Sequence, residues 1–251
     1  NGSRINRWSG HAGSTVVGMR AALVANREDV DPGLVGRALR RHGYTFTEFL
    51  REDHEGWLPV EDFDLVLALG SNWSTYWDHV AGPVRAEQEL LREAMRRDIP
   101  VLGICFGAQQ VAAVLGGEIT KAQSPEIGWC QVFATSEAGL TAPSALTSGP
   151  WMQWHYDRFS VPSGATVLAD SPVGPQAMVV GRTLAVQFHP EATETIVSHW
   201  SSGTGAEELD AAGISRVALL SETRSQVEGA EIRCNELVDW FISTIAQRHL
   251  G

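Results

Sequence analysis

Beyond residue 20 the chain alternates short apolar runs with amphipathic stretches, the pattern that parallel strands and crossover helices leave in a sequence. Ala21 to Ala25 predicts a buried strand. Pro32 then marks a helix start, with Leu34, Ala38 and Leu39 as an apolar stripe at helical spacing. A second strand is expected at Tyr44 to Phe49. Phe63 to Leu69 is apolar almost without a break, as a central strand covered on both faces must be, and Gly70 ends it. Pro83 to Arg97 reads as a helix whose wet face carries the pairs Arg85/Glu89 and Glu93/Arg97. Val101 to Ile104 is the next strand. Phe106 to Leu115, apolar nearly all round, predicts a buried helix stopped by Gly116 and Gly117.

From Glu118 to Val186 the character changes. Strand-like pieces at Gln131 to Thr135, Thr166 to Ala169, Ala177 to Val180 and Leu184 to Gln187 are separated by Pro, Gly and Ser, which predicts an antiparallel, hairpin-rich region on the same sheet. The C-terminal part is helical again, with Leu237, Val238, Phe241 and Ile245 as the buried face of a last helix. No repeat or low-complexity linker interrupts residues 19–251. The expectation is therefore a single α/β domain: a mostly parallel central sheet with helices on both faces in flavodoxin-like layering, plus a smaller antiparallel region. Residues 1–18 are polar and Gly/Ser-rich and are set apart as a disordered leader or an added extension.

Composition narrows the function classes. With 43% apolar residues in 251, the chain can fill a sizeable core. A net charge of −11 without a basic stripe repels nucleic acid and anionic membrane, and no apolar run is long enough to span a bilayer. Three cysteines, Cys105, Cys130 and Cys234, are odd in number and widely spaced, so neither a disulfide framework nor a CxxC metal site is expected. A reducing cytoplasm fits this usage, with no metal and no cofactor.

The chemistry is carried by two segments. Pro100-Val-Leu-Gly-Ile-Cys105-Phe-Gly107-Ala-Gln109 is a strand, a tight turn with glycine on both flanks, and a helix: the nucleophile-elbow pattern with Cys in the place of Ser. Gly103 and Gly107 permit close backbone approach while Cys105 occupies a strained turn at the positive end of a helix, where a thiolate is favoured. A lone buried cysteine is usually a small core hydrophobe, but that reading gives no account of the flanking glycines. Val186-Gln-Phe-His189-Pro-Glu191 follows an apolar strand. His189 can take and return a thiol proton, and Glu191, two residues on, can orient the ring. Cys130 and Cys234, with neither an elbow nor a nearby His, read as inert thiols.

These segments, with Gly70-Ser71 after the third strand, Glu126-Ile-Gly-Trp129 and Trp151 to Asp157, resemble the class I, triad-type glutamine amidotransferases, especially the amidotransferase domain of GMP synthase and its stand-alone relatives. The resemblance implies Cys105 as nucleophile, His189 as base and then acid, and Glu191 as its orienting partner. It also implies an oxyanion hole from the N–H of Ser71, with Gly70 beside it, and from the N–H of Phe106. Gln109 would line the substrate pocket, and a loop of Trp154, His155, Tyr156 and Asp157 would hold the amino-acid end of glutamine, His155 serving as packing. Two positions depart from the family: Gly70-Ser71-Asn72 replaces Gly-Gly-Pro, and His155-Tyr156-Asp157 replaces His-Gly-Asp. Neither a Walker A loop nor an ATP-pyrophosphatase loop is present. The implied activity is release of ammonia from glutamine for a separate synthetase or synthase. The alternatives are a stand-alone γ-glutamyl-amide hydrolase, suggested by Tyr156, and a non-catalytic binding or regulatory protein on the same scaffold.

Overall fold

The computed structural model describes residues 18–138 and 142–247; residues 1–17, which make up nearly all of the expected leader, lie outside them. Five strands run parallel in the order β2 (Tyr44–Leu50), β1 (Met19–Ala25), β3 (Leu65–Ala68), β4 (Val101–Ile104) and β10 (Thr183–Val186). The sheet continues antiparallel through β9 (Gly174–Val180), β8 (Thr166–Ser171) and β6 (Phe133–Ala134). Along β1, β3 and β4 successive side chains point to opposite faces, and both faces are covered. One core collects Leu23, Leu65, Leu67, Leu102 and Ile104 with α1 (Gly33–Arg41) and α6 (Arg216–Trp240). The other collects Val24, Val66, Ala68 and Val101 with α2 (Ala81–Arg96) and α3 (Phe106–Val114). This is the mostly parallel, doubly covered sheet that the apolar runs predict.

The predicted helices and strands up to Leu115 fall within two residues of the observed ends, with Pro32 capping α1 and Leu34, Ala38 and Leu39 buried. On α2, Glu93 pairs with Arg97 as expected and also with Arg96, whereas Arg85 and Glu89 form no ion pair among the described residues. The expectation of one continuous sheet through the middle of the chain needs correction. β5 (Ile119–Cys130) and β7 (Trp151–Phe159) pair with each other in a separate two-stranded antiparallel sheet. β5 escapes an apolar-run reading because its burial follows no clean alternation and its register slips between Lys121 and Glu126. Gln131 to Thr135 contributes only the two residues of β6. The last helix is longer than its C-terminal apolar face suggests: α6 spans 25 residues and passes into a π-helical turn at Phe241–Ile245. Two short helices, α4 (Glu194–Trp200) and α5 (Thr204–Ala211), precede it.

Close approach of α3 to the sheet is what places its first turn. A Cβ built on Gly107 would stand 2.2 Å from the Ala68 carbonyl oxygen of β3, and one on Gly103 would stand 2.9 Å from the Gly107 carbonyl. Neither contact can be relieved by rotating a side chain, so helix and strand must separate to admit a methyl group. Gly107→Ala is therefore expected to destabilise the fold by roughly 1–3 kcal/mol in urea unfolding. Gly56→Ala, where nothing lies within 4 Å, should stay within about 0.5 kcal/mol.

Candidate active site

Cys105 sits between β4 and α3 with φ 51° and ψ −105°, one of two non-glycine residues with positive φ among those described. That conformation is costly for a residue with a Cβ and persists only where the surroundings enforce it. Here they do: Cys105 N donates to Val186 O at 2.8 Å, its carbonyl accepts from Gln109 N at 3.0 Å, and the two glycines close the turn on either side. The side chain is 4% exposed at the N-terminus of α3.

Because β4 and β10 are parallel neighbours, Ile104 opposite Val186, their C-terminal ends deliver Cys105 and the segment through His189 to one place. His189 N donates to Met152 O at 2.8 Å, which ties this segment to β7. Its Nδ1 meets Glu191 Oε1 at 2.7 Å, both side chains being at least 95% buried. Glu191 is in turn fixed by its backbone: its carbonyl accepts from Leu34 N at 3.0 Å, and the Gly33 Cα lies so close that a Cβ there would be 2.0 Å from that oxygen. Cys105 lies close enough to the imidazole to influence its charge, and the ring's Nε2 is buried without a hydrogen-bond partner. The sulfur also approaches Trp154 O at 3.9 Å. Trp200 packs edge-on against His189, centroids 4.6 Å apart, and donates through Nε1 to Asp29.

Burial by itself lowers the His189 pKa, but Glu191 and the Cys105 sulfur together outweigh it and hold the imidazole well above its ordinary 6.5. The two other thiols are raised. Burial, then Glu126 and Glu222, pushes Cys130 up to about 11, and burial above all raises Cys234 further. Burial thus keeps Cys130 and Cys234 as thiols, and Cys105 is the cysteine that adjoins His189.

Gly70 adjoins this pair, since a Cβ on it would lie 2.9 Å from His189 Cε1 and 3.5 Å from Cys105 Cβ. The N–H groups of Ser71 and Phe106 donate to no protein acceptor among the described residues, and the Ser71 hydroxyl accepts from Trp73 N at 3.1 Å. Gln109, in the first turn of α3, donates to Asp157 O and Gln187 Oε1, each at 3.3 Å. Trp154, Tyr156 and Asp157, expected in a loop, belong instead to strand β7; that strand pairs with β5, which the apolar pattern did not reveal. Asp157 is buried, accepting from Ser74 Oγ at 2.6 Å and Tyr76 OH at 2.8 Å, while Trp154 donates to Glu208 at 2.7 Å. Tyr156 is half-buried. His155 bridges Asp157 O and Glu126 Oε2. Glu126 also accepts from Ser171 and Gln176, so the Glu-Ile-Gly-Trp segment ties β5 to the main sheet. Sequence reasoning missed Trp200, Asp29, Ser74, Tyr76 and the buried Arg51 described below; none carries a local pattern that marks it.

The model of the family described as "Glutamine amidotransferase class-I" matches residues 78–199, which include both Cys105 and His189. Over that segment the chain matches the class I glutamine amidotransferase domain. The chain is 43% identical over 107 residues to the glutamine-hydrolysing GMP synthase of Neisseria meningitidis serogroup C, covering 39% of this chain and 20% of the relative. It is 29% identical over 223 residues to the glutamine amidotransferase-like protein YfeJ of Salmonella typhimurium, covering 82% of this chain and 90% of that one. Among solved structures, a glutamine amidotransferase from Thermotoga maritima superposes with TM-score 0.81 at 25% identity, over 90% of this chain and 99% of that one. The chain thus spans only about a fifth of the GMP synthase and most of the two others. No helix among the described residues is long and apolar enough to cross a membrane.

Two outcomes follow from the electrostatics. In Glu191→Gln the His189 pKa, followed by NMR titration of the ring, should fall from its raised value. Because the folded pKa lies above the unfolded one, the stabilisation this imidazolium supplies is complete below about pH 6.5 and is lost as pH rises through the folded value. The stability gap between wild type and Glu191→Gln should accordingly shrink on the alkaline side. With iodoacetamide at pH 7.5, Cys105 should be alkylated first, since at a pKa of about 11 only about three Cys130 thiols in ten thousand are ionised.

Proposed function

We propose that this chain hydrolyses the γ-amide of glutamine, or of a closely related γ-glutamyl compound, through a thioester on Cys105. The observation that carries the reading is the convergence of a thiol in a strained turn at a helix N-terminus with an imidazole already anchored to a carboxylate. The Cys105 sulfur attacks the γ-carbonyl carbon, forming a C–S bond while the carbonyl electrons move onto oxygen. The N–H groups of Ser71 and Phe106 receive that oxyanion. His189, as imidazolium, protonates the departing nitrogen, the C–N bond breaks, and ammonia leaves a γ-glutamyl thioester. The now neutral His189 takes a proton from water, the resulting hydroxide attacks the thioester, and glutamate departs as the thiolate–imidazolium pair is restored. Glu191 keeps Nδ1 protonated and the ring aimed. Gln109, Trp154, Tyr156 and Asp157 shape the pocket for the amino-acid end.

The ammonia would serve a separate synthetase or synthase. Support comes from the likeness of residues around the Cys105 elbow to part of a glutamine-hydrolysing GMP synthase.

A stand-alone hydrolase of γ-glutamyl amines has its own support. Beside Ser71, a cavity of about 310 Å³ is lined by Asn26, Arg27, Glu28, Asp29, Glu52, Asn72 and Trp73, three carboxylates against one guanidinium, an acidic balance that favours a cationic amine as leaving group, and Tyr156 stands where the GMP-synthase type has glycine. Turnover of glutamine and of γ-glutamyl conjugates with cationic, neutral and anionic amines separates the two. A strong preference for a cationic conjugate in the absence of any partner would replace the ammonia-donor reading. Failure of diazo-oxo-norleucine to label Cys105 in folded protein would favour a non-catalytic role.

In the same assay Cys105→Ala and His189→Ala should each lower kcat/KM by on the order of 10⁵- to 10⁶-fold, and Glu191→Gln by about 100-fold less. Retention of wild-type turnover by Cys105→Ala would exclude the thioester.

A further inference from the structure

Arg51 has no relative exposure and follows directly on β2, in a sequence that reads as surface. All five of its N–H donors are used. Nε and one Nη2 hydrogen go to the two oxygens of Glu87 on α2, at 2.7 and 3.0 Å. The other Nη2 hydrogen goes to Leu69 O at 2.8 Å, and Nη1 donates to Asn26 Oδ1 at 2.9 Å and Gly70 O at 3.0 Å. Its guanidinium lies over the Phe106 ring, 4.8 Å from the centroid.

Burying such a pair is expensive, and a hydrophobic pair of the same volume often serves stability as well. What a hydrophobic pair cannot do is hold two consecutive carbonyls at the end of β3. A trans peptide is planar, with its C=O and N–H pointing in opposite directions, and no cis peptide occurs among the described residues. Fixing Gly70 O on the guanidinium therefore fixes the Ser71 N–H in the opposite direction, away from Arg51. Gly70 itself abuts Cys105 and His189. The second candidate donor belongs to Phe106, the residue on whose ring the same guanidinium rests.

We infer that Arg51 is a positioning residue of the oxyanion hole, aiming the Ser71 N–H by its grip on the Gly70 and Leu69 carbonyls. The inference rests on the thiol-acylation reading above but not on the identity of the acyl group. It also accounts for the tolerance of Ser71-Asn72 where the family has Gly-Pro: the backbone path is held from below by a guanidinium, so the loop need not carry that restraint in its own sequence.

Two variants test this. Arg51→Met with Glu87→Leu removes both charges together, and Arg51→Lys keeps the ion pair but loses the planar fork. Each is compared with wild type in acylation by p-nitrophenyl acetate, which forms an oxyanion but needs no γ-glutamyl pocket, and in alkylation by iodoacetamide, which forms none. The preferred γ-glutamyl substrate is assayed alongside. Acylation and kcat should fall on the order of 10- to 100-fold, with KM and the alkylation rate within about 3-fold. Equal loss of alkylation and acylation, unchanged acylation, or failure of both variants to fold would overturn the positioning role in favour of a purely structural one. If wild type is acylated by the ester but turns over no γ-glutamyl amide, the substrate reading falls, and the variants still decide the role of Arg51. A wild type that the ester does not acylate would remove both.

Discussion

The positive-φ turn at Cys105 is the constraint on which everything else in this molecule is arranged. Left to itself a cysteine avoids φ near +51°, so the conformation must be maintained by packing that cannot relax. That packing is backbone against backbone: Gly107 on Ala68, and Gly103 on Gly107. Since the contacts involve backbone and the Cβ of Ala68, no rotamer change can soften them. The side chain is buried where β4 ends and α3 begins, with Gly70 and His189 beside it.

Parallel pairing then does the assembling. Strands β3, β4 and β10 lie side by side and end at the same edge, so the loop after β3, the elbow after β4 and the His-Pro-Glu segment after β10 meet without any long-range hydrogen bond between the site residues being required. Restraint comes from outside the sheet. α1 holds the Glu191 carbonyl, β7 holds His189 N, and Trp200 covers the ring. The imidazole consequently has one nitrogen committed to a buried carboxylate and Cys105 close by, in surroundings that would expel a charge were both groups not present.

Much of this was legible in the sequence because the elements concerned obey local rules. Continuous apolar runs mark β1, β3 and β4. The spacing of Leu34, Ala38 and Leu39 marks α1, and Gly-x-Cys-x-Gly marks the elbow. What was not legible lacks such a period. β5 has mixed burial and a register slip, so its pairing with β7 is fixed by Glu126, which gathers His155, Ser171 and Gln176 from three different strands. Arg51 stands in Arg-Glu-Asp-His-Glu-Gly, which any polarity scale assigns to solvent; only the tertiary fold brings Glu87 and two strand-end carbonyls to it. Trp200 and the Ser74–Asp157 bond likewise depend on contacts across 11 and 83 positions of chain, respectively.

The central claim is that a γ-glutamyl group is carried covalently on Cys105 and on no other residue. Acid quenching during turnover, followed by intact-mass and peptide mass spectrometry, reads this directly. The account predicts a mass increase of one γ-glutamyl group, confined to the peptide containing Cys105, reversed by hydroxylamine and lost in Cys105→Ala. Steady turnover by a wild type that accumulates no adduct even when Glu191→Gln or low pH slows release, or an adduct on Cys130 or Cys234, would contradict it.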